Sequence, residues 1–217
     1  HDRSPASAVR QPGHAHGFEV ANLLRREVHA AGWDEVEAIG DGVTAFKPGD
    51  LALSLFFPEW DDGATPNAGA VTWANGSQPT TGTVSALNSL IGSQPNDRVG
   101  MFAATLGNGN YVVASPFWSN GSVLFAGAAA WRDGSAPQPG VVSPANSMVG
   151  TSYGDQVGYF TAISVSPLGV VPLPNGDYLV ASPEWNRSPE LLRTGALTWG
   201  DGNGGTQGAV GVGNSLV

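Results

Sequence analysis

The sequence predicts an all-β fold: a propeller-like array of three four-stranded repeats with a short N-terminal helical segment. Two observations predict it. The first is a stretch that occurs three times. NGNYVVASPFW followed by AGAAAWRDG is matched by NGDYLVASPEW followed by TGALTWGDG, and earlier by PGDLALSLFFPEW followed by AGAVTWANG. The second is composition. The 217 residues include 31 Gly and 16 Pro, yet 41% are hydrophobic and only 12% charged. That mixture suits many short strands joined by turns better than it suits disorder.

The middle copy shows why each element should form. Asn108-Gly109 supplies the positive-φ residues of a tight turn. Tyr111, Val112 and Val113 are aromatic and β-branched, suited to a pleated surface, and Pro116 ends the ladder because it has no N–H to donate. A second apolar run, residues 126–131, closes at Asp133-Gly134. Four strands are expected here, at about 99–105, 111–115, 126–132 and 140–149. Trp60, Trp118 and Trp185 correspond across the copies, as do Trp73, Trp131 and Trp199, and Asn88, Asn146 and Asn214. The third copy carries a short insertion around residues 162–169. The repeats run about 40–95, 96–153 and 154–217, within a repeat domain over 37–217. A repeated four-stranded unit of this length points to propeller blades. Three blades are fewer than the usual four, so the array is expected either to belong to a longer one or to close by joining its ends.

Residues 1–36 stand outside the repeat. Residues 1–17 are polar and Pro/Gly-rich, and residues 18–31 place Phe18, Leu23, Leu24 and Val28 near one helical face. All four histidines, His1, His14, His16 and His29, lie in this segment.

Net charge is −9, with a single lysine, Lys47. A chain this acidic repels phosphate backbones, which argues against nucleic acid as a partner. With no cysteine there is no disulfide framework, thiolate nucleophile or Cys-held metal. The apolar runs fall short of a membrane-spanning helix. Gly150-Thr151-Ser152-Tyr153-Gly154 has the spacing of a serine-hydrolase elbow. It falls in a turn followed by a strand-like run, where the required strand-to-helix elbow is lacking.

The repeat resembles the FG-GAP blades of integrin-type propellers, and more closely a bacterial repeat family of that kind. The matching residues include Met148, Gly150, Asp155, Val157, Gly158, Asn175, Gly176, Tyr178, Ser182, Pro183, Gly195, Ala196 and Trp199. The resemblance implies a bacterial secreted or cell-surface protein and, in that family, calcium loops. The corresponding turns here hold too few carboxylates for a full oxygen cage, so calcium bound there and a plain turn motif both stay open. The expected metal ligands are the motif aspartates Asp41, Asp97 and Asp155 and the loop acids Glu59, Asp61 and Asp62. Trp60, Trp118 and Trp185, with Glu184, either line one face for a ligand or pack between repeats.

No catalytic residue is assigned. Two functions follow as expectations. One is a non-catalytic binding or scaffold module for a small-molecule, carbohydrate or protein ligand, able to form homo-oligomers through its blade edges. The other is a calcium-dependent propeller hydrolase of lactones or esters, an analogy of architecture alone.

Overall fold

The computed structural model describes residues 52–57, 60, 64–74, 81–159 and 169–217, the first of these runs by its backbone alone. The N-terminal arm and helix, Asp41, Glu59, Asp61 and Asp62 lie outside the described residues.

In chain order the strands are β1 (Ala52–Phe57), β2 (Ala70–Ala74), β3 (Ser89–Ile91), β4 (Phe102–Thr105), β5 (Tyr111–Ser115), β6 (Ala128–Arg132), β7 (Gly140–Val141), β8 (Met148–Val149), β9 (Val170–Pro172), β10 (Tyr178–Ser182), β11 (Ala196–Gly200), β12 (Gly208–Ala209) and β13 (Ser215–Leu216). The described residues contain no helix, and therefore none long and apolar enough to cross a membrane. The strands form three sheets, ordered β1-β2-β3-β7, β4-β5-β6-β8-β12 and β9-β10-β11-β13.

Each repeat builds an antiparallel meander, then divides what the sequence presents as one fourth strand. In the middle repeat the expected strand over 140–149 is broken by a turn. Asn146 N donates to Ser143 O at 3.1 Å. Ser143 N donates to Asn146 Oδ1, and Asn146 Nδ2 donates to Val141 O, each at 2.9 Å. The first half, β7, leaves its own repeat and pairs in parallel with β3 of the preceding one. The second half, β8, stays and closes its own sheet. β12 is handed back to β8 in the same way. The repeats are thus sewn together in sequence order. Among the described residues no strand pairing joins the first sheet to the third.

The cores lie between the sheets. Tyr111 and Val113 of β5 face one cluster with Val71, Leu90, Val99, Trp118 and Val142. Val112 and Ala114 of the same strand face another with Met148, Val170, Tyr178, Val180 and Trp185. Alternate residues on a strand point to opposite faces, so a sheet buried on both sides must be apolar throughout. β5 is as far as Ala114, with the buried Ser115 Oγ at its end accepting from Gly100 N, and so is β6 from Ala128 to Trp131.

The second tryptophan series bridges these layers. Trp73 Nε1 donates to Gly134 O at 3.1 Å, and Trp131 Nε1 donates to Gly202 O at 3.0 Å, each reaching the turn of the following repeat. Trp131→Ala should therefore cost about 3 kcal/mol, as truncation of a large aromatic at an interior interface does. Trp199→Ala, at a ring half exposed to solvent, should cost less than about 1 kcal/mol. Chemical denaturation of the two variants checks the contrast, and equal losses would refute it.

Candidate functional site

The loops after β5 and β10 and those before β6 and β11 lie side by side through a repeated backbone device. Gly69 N, Gly127 N and Gly195 N donate to the carbonyls of Trp60, Trp118 and Trp185 at 3.0, 2.9 and 3.1 Å. The chain then runs parallel to the turn that opens the next unit, bridging Gly69 to Val99 and Gly127 to Val157. Making that approach requires left-handed backbone at non-glycine residues: Asn67, Phe125 and Arg193 have φ of 53°, 54° and 52°. For a residue as bulky as phenylalanine this conformation is uncommon and strained.

The motif aspartates secure the same loops. Asp97 and Asp155 are fully buried. Asp97 Oδ2 accepts from Ser93 N and Gln94 N, both at 2.9 Å, and its Oδ1 accepts from Ser119 N at 2.9 Å. Asp155 Oδ2 accepts from Thr151 N at 2.9 Å and Ser152 N at 2.8 Å. Its Oδ1 accepts from Asn186 N at 3.0 Å and Asn186 Nδ2 at 2.8 Å. Each carboxylate ties an opening turn to the residue after a core tryptophan. Burial pushes the Asp97 carboxyl up from its ordinary value, against the opposing pull of its N–H donors. Of the expected metal ligands, Asp97 and Asp155 are thus placed apart, one in each turn. Among the described residues no three or more His, Cys, Asp or Glu side chains come together.

The expected ligand-binding tryptophans are placed differently from one another. Trp118 and Trp185 are buried, and Trp60 is partly buried. The indole N–H groups of Trp118 and Trp185 meet no acceptor, so packing rather than polarity holds these rings. Burial also pushes the Tyr111 and Tyr178 phenols up to about 12, which keeps both neutral near pH 7 and unsuited to act as bases.

What the fold gathers on the loop face is a row that the sequence did not single out. Phe117 meets Phe125 edge-on, with ring centroids 6.0 Å apart and planes at 83°. Phe125 meets Tyr153 at 6.0 Å, and Phe117 meets Tyr159 at 6.1 Å. The Arg98 guanidinium lies 5.8 Å from the centroid of the Phe117 ring. Tyr153 is 70% exposed, and Leu124 beside Phe125 is exposed as well. In the third repeat the places of Phe117 and Phe125 are taken by Glu184 and Arg193, whose side chains form a 2.8 Å ion pair. One backbone frame therefore presents an aromatic pair in one repeat and a charged pair in the next. The signal available in the sequence was this substitution at equivalent positions of an otherwise regular motif.

A second feature is an open depression of about 280 Å³ between the second and third repeats, lined by Trp131, Arg132, Gln138 and Asn146. The buried Arg132 Nη1 donates to Trp131 O at 2.7 Å and Asn146 O at 3.2 Å, so it serves backbone carbonyls there. The depression is small for a ligand pocket.

Fold and loop face together define a class: an all-β repeat protein whose recurring residues hold its units in line while the loops between them vary. The chain belongs to DUF5650, a repeat of unknown function, which matches residues 56–101, 105–159 and 172–217. No curated protein matches it. The three matched segments bear out the repeat reading, and the family they show is this one.

Proposed function

We propose that the chain is a non-catalytic binding module whose ligand is a neutral carbohydrate, taken on the loop face along Arg98, Phe117, Phe125, Tyr153 and Tyr159. The observation that carries this reading is the aromatic row itself. Flat, partly exposed rings held by strained backbone at Phe125 are preorganised, and preorganisation lowers the entropic cost of binding. Such rings stack on the apolar face of a sugar, and the net negative charge disfavours an anionic ligand. The finer kinship expected from the sequence, an FG-GAP-like bacterial secreted or surface protein, belongs to this proposal. It is supported by the four-strand unit and the Asn-Gly turns.

The test is affinity electrophoresis of the intact chain through gels containing neutral polysaccharides. Retardation is expected, and Phe117→Ala and Tyr153→Ala should each weaken it about tenfold, the equivalent of roughly one ring-stacking energy. No retardation by any polysaccharide, or retardation unchanged in the double variant, refutes the reading. Hydrolysis of lactones or esters that stops on adding EDTA would transfer the function to the calcium-dependent hydrolase alternative.

A further inference from the structure

Arg132 ends β6, opposite Tyr111 and at the far end of both strands from the loop face. The repeat itself does not require a charge there. Its counterparts are Ala74 and Gly200, and β2 and β11 form with those small residues in place. Yet the arginine is 5% exposed. Burial lowers its pKa from the ordinary value, and a buried charge is costly unless it is paired.

The bonds it makes answer only part of that charge. Nη1 donates to the carbonyls of Trp131 and Asn146. Nε is buried and meets no acceptor among the described residues. The next residue in the chain, Asp133, turns to its own loop, where its Oδ1 accepts from Ser135 N and Ser135 Oγ, both at 2.7 Å. Glu184 is paired with Arg193.

Arg132 also lines the open depression between the second and third repeats, with Trp131, Gln138, Asn146, Thr206 and Gln207. No acid stands in that lining among the described residues. Gln138 is exposed. Its Oε1 accepts from Asp133 N at 2.9 Å, which leaves its NH₂ group to donate. A volume of about 280 Å³ falls below the usual range of ligand pockets and suits an anion of a few heavy atoms. A planar carboxylate matches the guanidinium fork. The net charge of −9 opposes anions at long range, and it opposes a dianion such as phosphate more than a monoanion.

We infer that this depression binds a small monocarboxylate, held by the Arg132 guanidinium on its Nε side and by the Gln138 amide. The site is separate from the loop face and stands whether or not that face takes a sugar.

The intact chain, isotope-labelled for NMR, is titrated with sodium acetate while sodium chloride holds the ionic strength constant. The Arg132 Nε–H resonance, identified by its loss in Arg132→Lys, should shift and saturate. The Gly205 N–H, on the rim of the same depression, reads the variants. Arg132→Lys should need about tenfold more acetate for half-saturation, because lysine keeps the charge and loses the fork. Gln138→Glu still accepts from Asp133 N, so the turn is kept, and it places a carboxylate of the chain at the opening. It should remove the saturable response to acetate. Sodium phosphate should bind about tenfold more weakly than acetate. A shift that grows without saturating, or that chloride produces equally, overturns the inference. So does phosphate binding more tightly than acetate, or acetate binding unchanged in either variant. An Nε–H resonance already at its carboxylate-bound position, and unmoved by acetate, also overturns it and assigns the place to an acid of the chain itself.

Discussion

Asp155→Ala should be among the most damaging single substitutions in the described part of the chain, with an expected loss on the order of 4 kcal/mol. The side chain is fully buried and is the acceptor for Thr151 N, Ser152 N, Asn186 N and Asn186 Nδ2. Truncation leaves these donors without that partner in a place water enters poorly, and each unmade buried hydrogen bond costs about 1–3 kcal/mol. Asp155→Asn separates the contributions. Its amide oxygen can still accept from Asn186, but its NH₂ group would meet the donors of Thr151 and Ser152. About half the loss is expected for it. Urea denaturation followed by tryptophan fluorescence reads both variants. A loss below about 1 kcal/mol for the alanine variant would mean that the turn holds itself together without the carboxylate.

Gly127→Ala should be comparably severe, for a steric reason. Gly127 has φ 76°, and a Cβ added there would overlap the backbone nitrogen and carbonyl oxygen of Val157. The obstacle is backbone, which cannot rotate aside, at the very bridge that joins the second and third repeats. Gly109 is the control. Its φ is 89°, but an added Cβ meets nothing within 4 Å. Gly109→Ala should therefore cost only the left-handed penalty of about 1–2 kcal/mol, and Gly127→Ala more than about 4 kcal/mol. Thermal melts of the pair test this. Similar losses would show that strain in φ, rather than the close approach of two backbones, governs the position.

The two predictions mark the boundary between what was legible in the residues and what was not. The repeat and its all-β character follow from the sequence alone. Asn-Gly and Asp-Gly turns, β-branched runs and tryptophans at matching places are local signals, and local signals survive in a linear reading. The strands at 111–115 and 128–132 fall where those runs do, within two residues. The recurrence of Asp97 and Asp155 was equally plain, but their work was not. A carboxylate in a turn does not name its donors, and those of Asp97 and Asp155 include Ser119 and Asn186, which only the fold brings across the loop.

Tertiary structure alone decided three further matters. It divided the fourth strand, because Asn146 bonds to the backbone on both sides of a turn and frees β7 for the preceding sheet. It buried Trp118 and Trp185 while leaving Phe117 and Phe125 at the surface. Neighbouring positions on one loop face opposite ways, and the direction depends on where the adjacent sheet stacks. And it set what covers the buried residues. Leu90 and Met148 lie under a strand from the next repeat. Burial is a property of what lies opposite a side chain, and here the opposing strand comes from another repeat, which no local signal in the sequence names.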